Sequence, residues 1–500
     1  MSAEMKIERS AGVLLHPTSL PSRFGVGDLG PEAIGYLDWL ASAGVRWWQV
    51  LPLNPPGPGR SPYSALSTFA GNALLISPER LLEDGLLTPA QLDRYPRLPE
   101  SHVAYEQVAA SKGELLRAAW AGFCSDPPPA LAAELERFVA VHAPWVDDFA
   151  AFEALKASYG GRSWLRWPEE LRLRRGDAVA RWAAEHRDDV AFSRFCQFLF
   201  LRQWRALKDA AVERGISLLG DVPIFVAADS AEVWAHRELF LLDDEGRPTA
   251  VAGVPPDYFS STGQLWGNPL YDWNRHAADG YAWWIARLEH ALGLLDAVRL
   301  DHFRGFAAHW QVPAGETTAA RGVWVAGPGK ALFEAVRRKL GRLPFVAEDL
   351  GTITEDVHEL RRGLGLHGMA ILQFAFAPEP RSTYIPYRLS RDLVVYTGTH
   401  DNNTTLGWYR DEASEEEKDL LRRYAVTDGA EINWDLARLA LASVCDLAVL
   451  PHQDLAGVGS EGRMNTPGVG VGNWTFRLAP WMLDEAIRDR LAELIRVYGR

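Results

Sequence analysis

The sequence predicts an α/β fold: a (β/α)8 TIM barrel enlarged by a mainly helical insertion after its second strand and by further loop insertions. Three observations predict it. Eight apolar, β-rich runs can be counted along the 500 residues, and helical patterns separate them. Three of those runs close on an acid, in Val298-Arg299-Leu300-Asp301, Phe345-Val346-Ala347-Glu348 and Val395-Tyr396-Thr397-Gly398-Thr399-His400-Asp401. A doubly wound parallel sheet would alternate in a similar way. A barrel is preferred because it gathers acids from separate strand ends onto one rim.

The runs are Gly12–His16, Arg46–Leu53, Ser217–Val222, Ala297–Phe303, Phe345–Asp349, Met369–Phe374, Leu393–His400 and Asp446–His452. The first is followed by a helical pattern over Pro31–Ala43, with Pro31 suited to the first helical position. Lys330–Leu340 follows the fourth. After the fifth, Thr352 and Glu355 form a capping-box signature for a helix to about Leu360, and after the seventh Ser414 and Glu417 repeat it. A last helix, Leu483–Tyr498, follows the eighth, with no room for an appended C-terminal β-domain.

Two segments exceed ordinary connections. Between the second and third runs the helical patterns are Pro89–Tyr95, Ser111–Phe123, Ala130–His142, Trp145–Tyr159, Trp167–Arg175, Asp177–Glu185 and Val190–Arg214. Residues 81–192 therefore read as a helical subdomain inserted into a barrel made of residues 1–80 and 193–500. Residues 225–295 read as an active-site loop insertion, because Gly, Pro and aromatics dominate its stretch 253–269 and long structureless loops are usually functional.

Composition narrows the function. A net charge of −13 argues against nucleic acid and anionic membrane surfaces as partners, and suits a neutral or cationic substrate. Cys124, Cys196 and Cys445 are scattered, without a CxxC pair, as in a reduced cytoplasmic chain lacking disulfides. The start, Met1-Ser2-Ala3-Glu4-Met5-Lys6, has no apolar signal region, and no run is long enough to span a bilayer. Twenty Trp fit a cleft where flat indoles stack on sugar rings, although large cores use Trp as well. Nothing indicates an obligate protein partner.

The acids carry the chemistry. Arg299 and Asp301 are two apart in a strand and so share a face. A guanidinium beside a carboxylate favours the ionised form, which a carboxylate nucleophile needs. A single strand-end acid can simply cap the next helix; three together point to one site. His302 and His400 adjoin two of them and read as substrate contacts. Ser61-Pro62-Tyr63 after the second run and Asp221 at the end of the third add an aromatic ring and a further acid to the rim.

Other motifs are weaker. Gly25-Val26-Gly27-Asp28-Leu29-Gly30 matches GxGxxG, but residues 19–24 separate it from the strand and Pro31 follows it, against a dinucleotide site. The sequons at Asn402, Asn403 and Asn473 are expected to stay unused. His16, Asp301, His302, Glu348, His400, Asp401 and His452 offer zinc ligands in principle. Arg299 would repel a cation there, and the first run lacks a His-x-His pair, so neither metal nor cofactor is expected.

Together these residues resemble the 4-α-glucanotransferases, the amylomaltase or disproportionating-enzyme family of glycoside hydrolase family 77, nearly end to end. The blocks that carry the likeness are 12–21, Ser61-Pro62-Tyr63, 220–224, 255–267, Arg299–Gly305, Ala347–Gly351, Thr399–Asn403 and Asn473-Trp474-Thr475. The resemblance implies retaining transfer of an α-1,4-glucan segment from a donor maltodextrin to the 4-hydroxyl of an acceptor glucan or glucose, through a covalent glucosyl-Asp intermediate. Maltooligosaccharides and amylose are the implied substrates. It makes Asp301 the nucleophile, Glu348 the acid/base and Asp401 the transition-state stabiliser. Arg299, His302, His400, Tyr63, Ser61, Asp221, Gln264, Trp266 and Asn465 become substrate contacts, and Pro255, Asp257, Tyr258 and Phe259 a lid. His367, Ala370, Val469 and Phe476 depart from the family pattern without touching the acids. A hydrolytic α-glucosidase or amylase, a metal-dependent hydrolase and a glucan-binding protein without catalysis are the competing readings.

Overall fold

The computed structural model describes residues 7–256, 261–351, 353–378 and 382–500. Its central sheet has eight parallel strands: Ser10–Leu14, Trp47–Gln49, Ser217–Pro223, Ala297–Asp301, Phe345–Ala347, Gly368–Ile371, Leu393–Tyr396 and Leu447–Pro451. Neighbours in sequence are neighbours in space, and the first strand pairs with the eighth from Ser10 opposite Leu447 to Leu14 opposite Pro451. The fifth and sixth meet through a single parallel bridge, Val346 opposite His367. The sheet thus closes as a (β/α)8 barrel, as the sequence predicts.

Each of the eight runs overlaps one strand. Most ladders stop short of the run's end, so His16, Leu53, Phe303, Asp349, Phe374 and His400 lie beyond them. The strands are largely apolar because side chains fill the barrel on one face and helices cover the other; every residue of Ser10–Leu14 and Leu447–Pro451 is buried.

The flanking helices Pro31–Ser42, Gly329–Leu340 and Glu485–Val497 agree with the sequence patterns. Ser414 and Glu417 form the expected reciprocal cap, with Glu417 N–H donating to Ser414 Oγ and Ser414 N–H to Glu417 Oε2. Thr352 lies outside the described residues. The helix after the fifth strand is Glu355–Leu364 with Thr354 as N-cap, so Glu355 is its first residue and not the third that a box from Thr352 requires.

Two further expectations are corrected. The patterns Ala130–His142 and Trp145–Tyr159 are one helix, Pro129–Ser158, running through Pro144. The proline removes one backbone bond. Phe138, Val146, Phe149 and Phe152 still bury on both sides of it, and Phe138 packs on Phe198 of the helix Arg187–Glu213, which keeps both halves on course. Residues 225–295 are not a plain loop. Strands Ala250–Val254 and Gln264–Pro269 belong to a four-stranded antiparallel sheet with Ala308–Pro313 and Val323–Ala326, which follow the fourth barrel strand.

The helices between the second and third strands share the barrel's core. Trp48, Trp164, Trp204, Trp234 and Trp284 are fully buried, so much of the tryptophan serves packing. Lys112, on the helix Tyr105–Ser125, is buried and donates to Asp28 Oδ2 at 2.8 Å and to the carbonyls of Leu74 and Ile76 at 2.8 and 3.0 Å. Asp28 lies inside the GxGxxG match. There Gly27 packs so closely on the chain that a Cβ would meet Pro17 O at 2.0 Å. The glycines serve a tight turn, and Asp28 holds the helical segment against the barrel. Among the described residues no helix is long and apolar enough to cross a membrane.

Removing one partner of a buried ion pair strands the other. Lys112→Met is expected to lower unfolding stability by about 3–5 kcal/mol, read from the denaturant midpoint, and adding Asp28→Asn is expected to restore part of that loss.

Candidate active site

Arg299 and Asp301 occupy alternate positions of the fourth strand, and Asp221 lies directly opposite Arg299 on the third. This register puts one guanidinium between two carboxylates: Arg299 Nη1 is 2.6 Å from Asp221 Oδ2 and 2.9 Å from Asp301 Oδ1. The Tyr63 hydroxyl donates to the same Asp221 oxygen at 2.9 Å. Side-chain exposure is 0% for Asp221 and 27% for Asp301, so Asp301 faces the cleft while Asp221 supports the cluster from behind. Burial pushes the Asp221 carboxyl up to about 7, against the pull of Arg299 and with a push from Asp301.

Glu348 follows the fifth strand and is tied to the fourth. Its N–H donates to Leu300 O at 3.0 Å, and its carbonyl accepts from Phe303 N at 3.1 Å. Its carboxylate accepts from His302 N–H at 2.8 Å and Leu350 N–H at 3.1 Å. The His302 N–H belongs to a residue in the left-handed region, at φ 49°. That conformation costs of order 1–3 kcal/mol in a non-glycine residue. Burial raises the Glu348 carboxyl to about 7; Arg299 opposes this and the Asp301 charge adds to it. Asp301 and Glu348 therefore share one electrostatic neighbourhood. The His302 ring is buried, which lowers it to about 4, and it meets Trp266 edge-on with centroids 4.7 Å apart.

Asp401 follows the seventh strand and is 45% exposed. Asn465 Nδ2 donates to its Oδ1 at 2.6 Å, His400 Nε2 lies 3.5 Å from that oxygen, and Arg463 Nη2 donates to its backbone carbonyl at 2.9 Å. The buried His400 ring stacks on Tyr63 with centroids 5.0 Å apart and planes 10° apart. Trp474, left-handed at φ 65°, leans on both rings. Tyr63 thus links the Arg299 cluster to the Asp401 side of the cleft.

The remaining expected residues divide. Ser61 Oγ accepts from Tyr63 N–H at 3.2 Å and shapes the turn that carries the tyrosine. Gln264 and Trp266 lie on the exposed strand Gln264–Pro269, with Trp266 Nε1 donating to Gln264 Oε1 at 3.1 Å. Pro255 is half-buried just after the strand Ala250–Val254, whereas Asp257, Tyr258 and Phe259 lie outside the described residues. His452, needed by the zinc alternative, is a core residue whose ring nitrogens bond Tyr36 Oη and Met482 O. No group of three or more His, Cys, Asp or Glu among the described residues is arranged to hold a metal ion. Sequence reasoning missed Arg463, which no local signal ties to Asp401, and Trp474, visible only inside the Asn473-Trp474-Thr475 block.

Comparison with known proteins decides the family. The sequence profile described as 4-alpha-glucanotransferase, glycoside hydrolase family 77, matches residues 15–483. The chain belongs to this family. It is 49% identical to the 4-alpha-glucanotransferase of Thermus thermophilus over 99% of this chain and 100% of that one. The 4-alpha-glucanotransferase of a Synechocystis species is 45% identical over 99% and 98% of the two chains. The amylomaltase from Streptococcus agalactiae, solved in complex with acarbose, superposes with a TM-score of 0.95 at 35% identity, covering 99% of this chain and 100% of that one. The protein is an enzyme with 4-alpha-glucanotransferase activity.

Hydrogen bonds to carboxylates are worth about 1.5–3 kcal/mol, and Asn465 donates one to the Asp401 side chain. Asn465→Ala is expected to lower kcat/KM for glucan transfer by about 10–100-fold.

Proposed function

We propose that this glucanotransferase moves an α-1,4-glucan segment from a donor maltodextrin to the 4-hydroxyl of an acceptor glucan or glucose by double displacement with retention. The observation that carries the reading is a pair of neighbouring carboxyls in opposed environments. Asp301 is 2.9 Å from a buried guanidinium, whereas burial holds Glu348 at about 7. A carboxyl raised by burial, next to a second one paired with a guanidinium, supplies an acid and a nucleophile in one site.

Asp301 Oδ attacks the anomeric carbon while Glu348 gives its proton to the departing glycosidic oxygen. The C–O bond to the leaving glucan breaks, and a glucosyl ester forms on Asp301. Esterification removes the Asp301 charge, one of the causes that keep the Glu348 carboxyl high. Glu348 then becomes more acidic at the stage where it must act as base. It takes the proton of the incoming 4-hydroxyl, whose oxygen displaces Asp301 and restores the α-linkage. Asp401, fixed by Asn465 and beside His400, hydrogen-bonds the hydroxyls of the distorted sugar, with contacts that tighten in the transition state.

Transfer requires that a sugar hydroxyl outcompete water for the intermediate. Trp266 lies against His302, next to Asp301, and with Gln264 and Pro255 forms the described part of the lid. Maltooligosaccharides, amylose and glucose are the proposed substrates, in keeping with the acarbose bound by the Streptococcus agalactiae amylomaltase.

With maltotriose, the expected products are glucose and longer maltodextrins at constant total reducing ends; rising reducing ends would identify a hydrolase instead. Asp301→Asn is expected to abolish turnover while glucan still binds, measured by calorimetry. Glu348→Gln is expected to cost about 10²–10⁴-fold in kcat. Donor cleavage needs protonated Glu348, so kcat/KM is expected to fall as pH rises through about 7 and to lose that limb in Glu348→Gln.

A further inference from the structure

Glu348 stands at the weakest seam of the barrel. Its strand, Phe345–Ala347, has three residues and meets the sixth strand through one bridge, with Ala347 N–H donating to His367 O at 2.8 Å. In a parallel ladder the next rung would run from Met369 N–H to the carbonyl of Ala347. Met369 N–H donates instead to Asp349 Oδ1 at 2.8 Å. The other oxygen, Oδ2, faces Arg361 Nε at 3.1 Å, and Arg361 is fastened by its Nη1 to Leu366 O and Asp392 Oδ2. Asp349 is 6% exposed and lies flat against Gly368, where a Cβ would meet its oxygens at 2.6 and 2.8 Å.

We infer that Asp349 is a positioning residue for Glu348, a side-chain rung that replaces the missing backbone ladder and holds the acid/base against the fourth strand. The inference rests on the reading of Glu348 as acid/base. Glu348 is tied to the fourth strand by two backbone bonds and by its carboxylate. Asp349 supplies the opposing anchor on the sixth strand, one residue away. A cut at that anchor releases the strand end toward solvent and relaxes the burial that keeps Glu348 protonated.

The groups around this pair define the readout. Asp349 faces Arg361, His358 at 3.9 Å and Met369 N–H. Glu348 faces Arg299, Asp301 and the N–H groups of His302 and Leu350. Tyr384, held above the ordinary phenol range chiefly by burial, borders both acids. Burial is the first cause that raises Glu348, so its loss lowers the carboxyl and moves the basic limb of the pH profile to lower pH.

The test is the pH dependence of glucan transfer in the full-length enzyme. Asp349→Ala is expected to lower kcat by about tenfold or more with KM within about twofold, and to shift the basic limb downward. Asp349→Asn keeps an oxygen for Met369 N–H and is expected to recover most of both; equal shifts in the two variants would mean that only the charge mattered, and would overturn the inference. Gly368→Ala removes no polar group yet displaces the carboxylate, and is expected to reproduce the shift. It also decides the matter should Asp349→Ala not fold. An unmoved basic limb in Asp349→Ala or Gly368→Ala, while Glu348→Gln shows its expected loss of kcat and of that limb, overturns the positioning role and leaves the reaction standing. Full transfer by Glu348→Gln overturns both.

Discussion

A guanidinium with almost no access to water lies at the centre of the cleft, and its neighbours are arranged around the need to balance it. A buried charge of this kind is tolerated only when paired and hydrogen-bonded. Arg299 is paired twice through one nitrogen, to Asp221 behind it and to Asp301 in front. Tyr63 fastens the rear carboxylate and then stacks on His400, which stands beside Asp401. Residues from the connection after the second strand, the third and fourth strands, and the segment after the seventh are thereby held to one another around a single charge. Asp221, with a fully buried side chain, contributes by pairing with Arg299.

The same neighbourhood gives chemically similar groups different surroundings. Asp301 lies beside the cation and is partly open to the cleft. Glu348 is half-buried, and its main polar contacts are two backbone N–H groups, one of them delivered by the left-handed His302. Asp401 is the most open of the three and is oriented by Asn465. Position around the barrel rim thus gives three carboxyls different neighbours, a distinction that residue type alone does not carry.

The barrel tolerates its large additions because they extend its core and are anchored by buried polar contacts such as Lys112 on Asp28. The antiparallel sheet built from segments on both sides of the fourth strand brings Trp266 to the ring of His302, next to the acid that strand presents. Fold enlargement and cleft construction are one event here.

The eight strands were legible in the sequence because a strand covered on both faces must be apolar along its whole length, and the rim acids were legible because they interrupt that rule at its ends. The cap at Ser414 and Glu417 was legible because its partners are three residues apart. The helix through Pro144 was not, since packing on a distant helix outweighed a local breaker, and the antiparallel sheet was not, since strands Ala250–Val254 and Ala308–Pro313 pair across more than fifty residues. The sequence by itself determined the barrel and which acids end its strands, because burial and backbone preference are written in local pattern. Only the tertiary structure decided that Arg299 is shared, that Asn465 and Arg463 fasten Asp401, and that Glu348 accepts from the N–H of His302, because charge pairing and hydrogen bonding depend on groups the chain brings together from far apart.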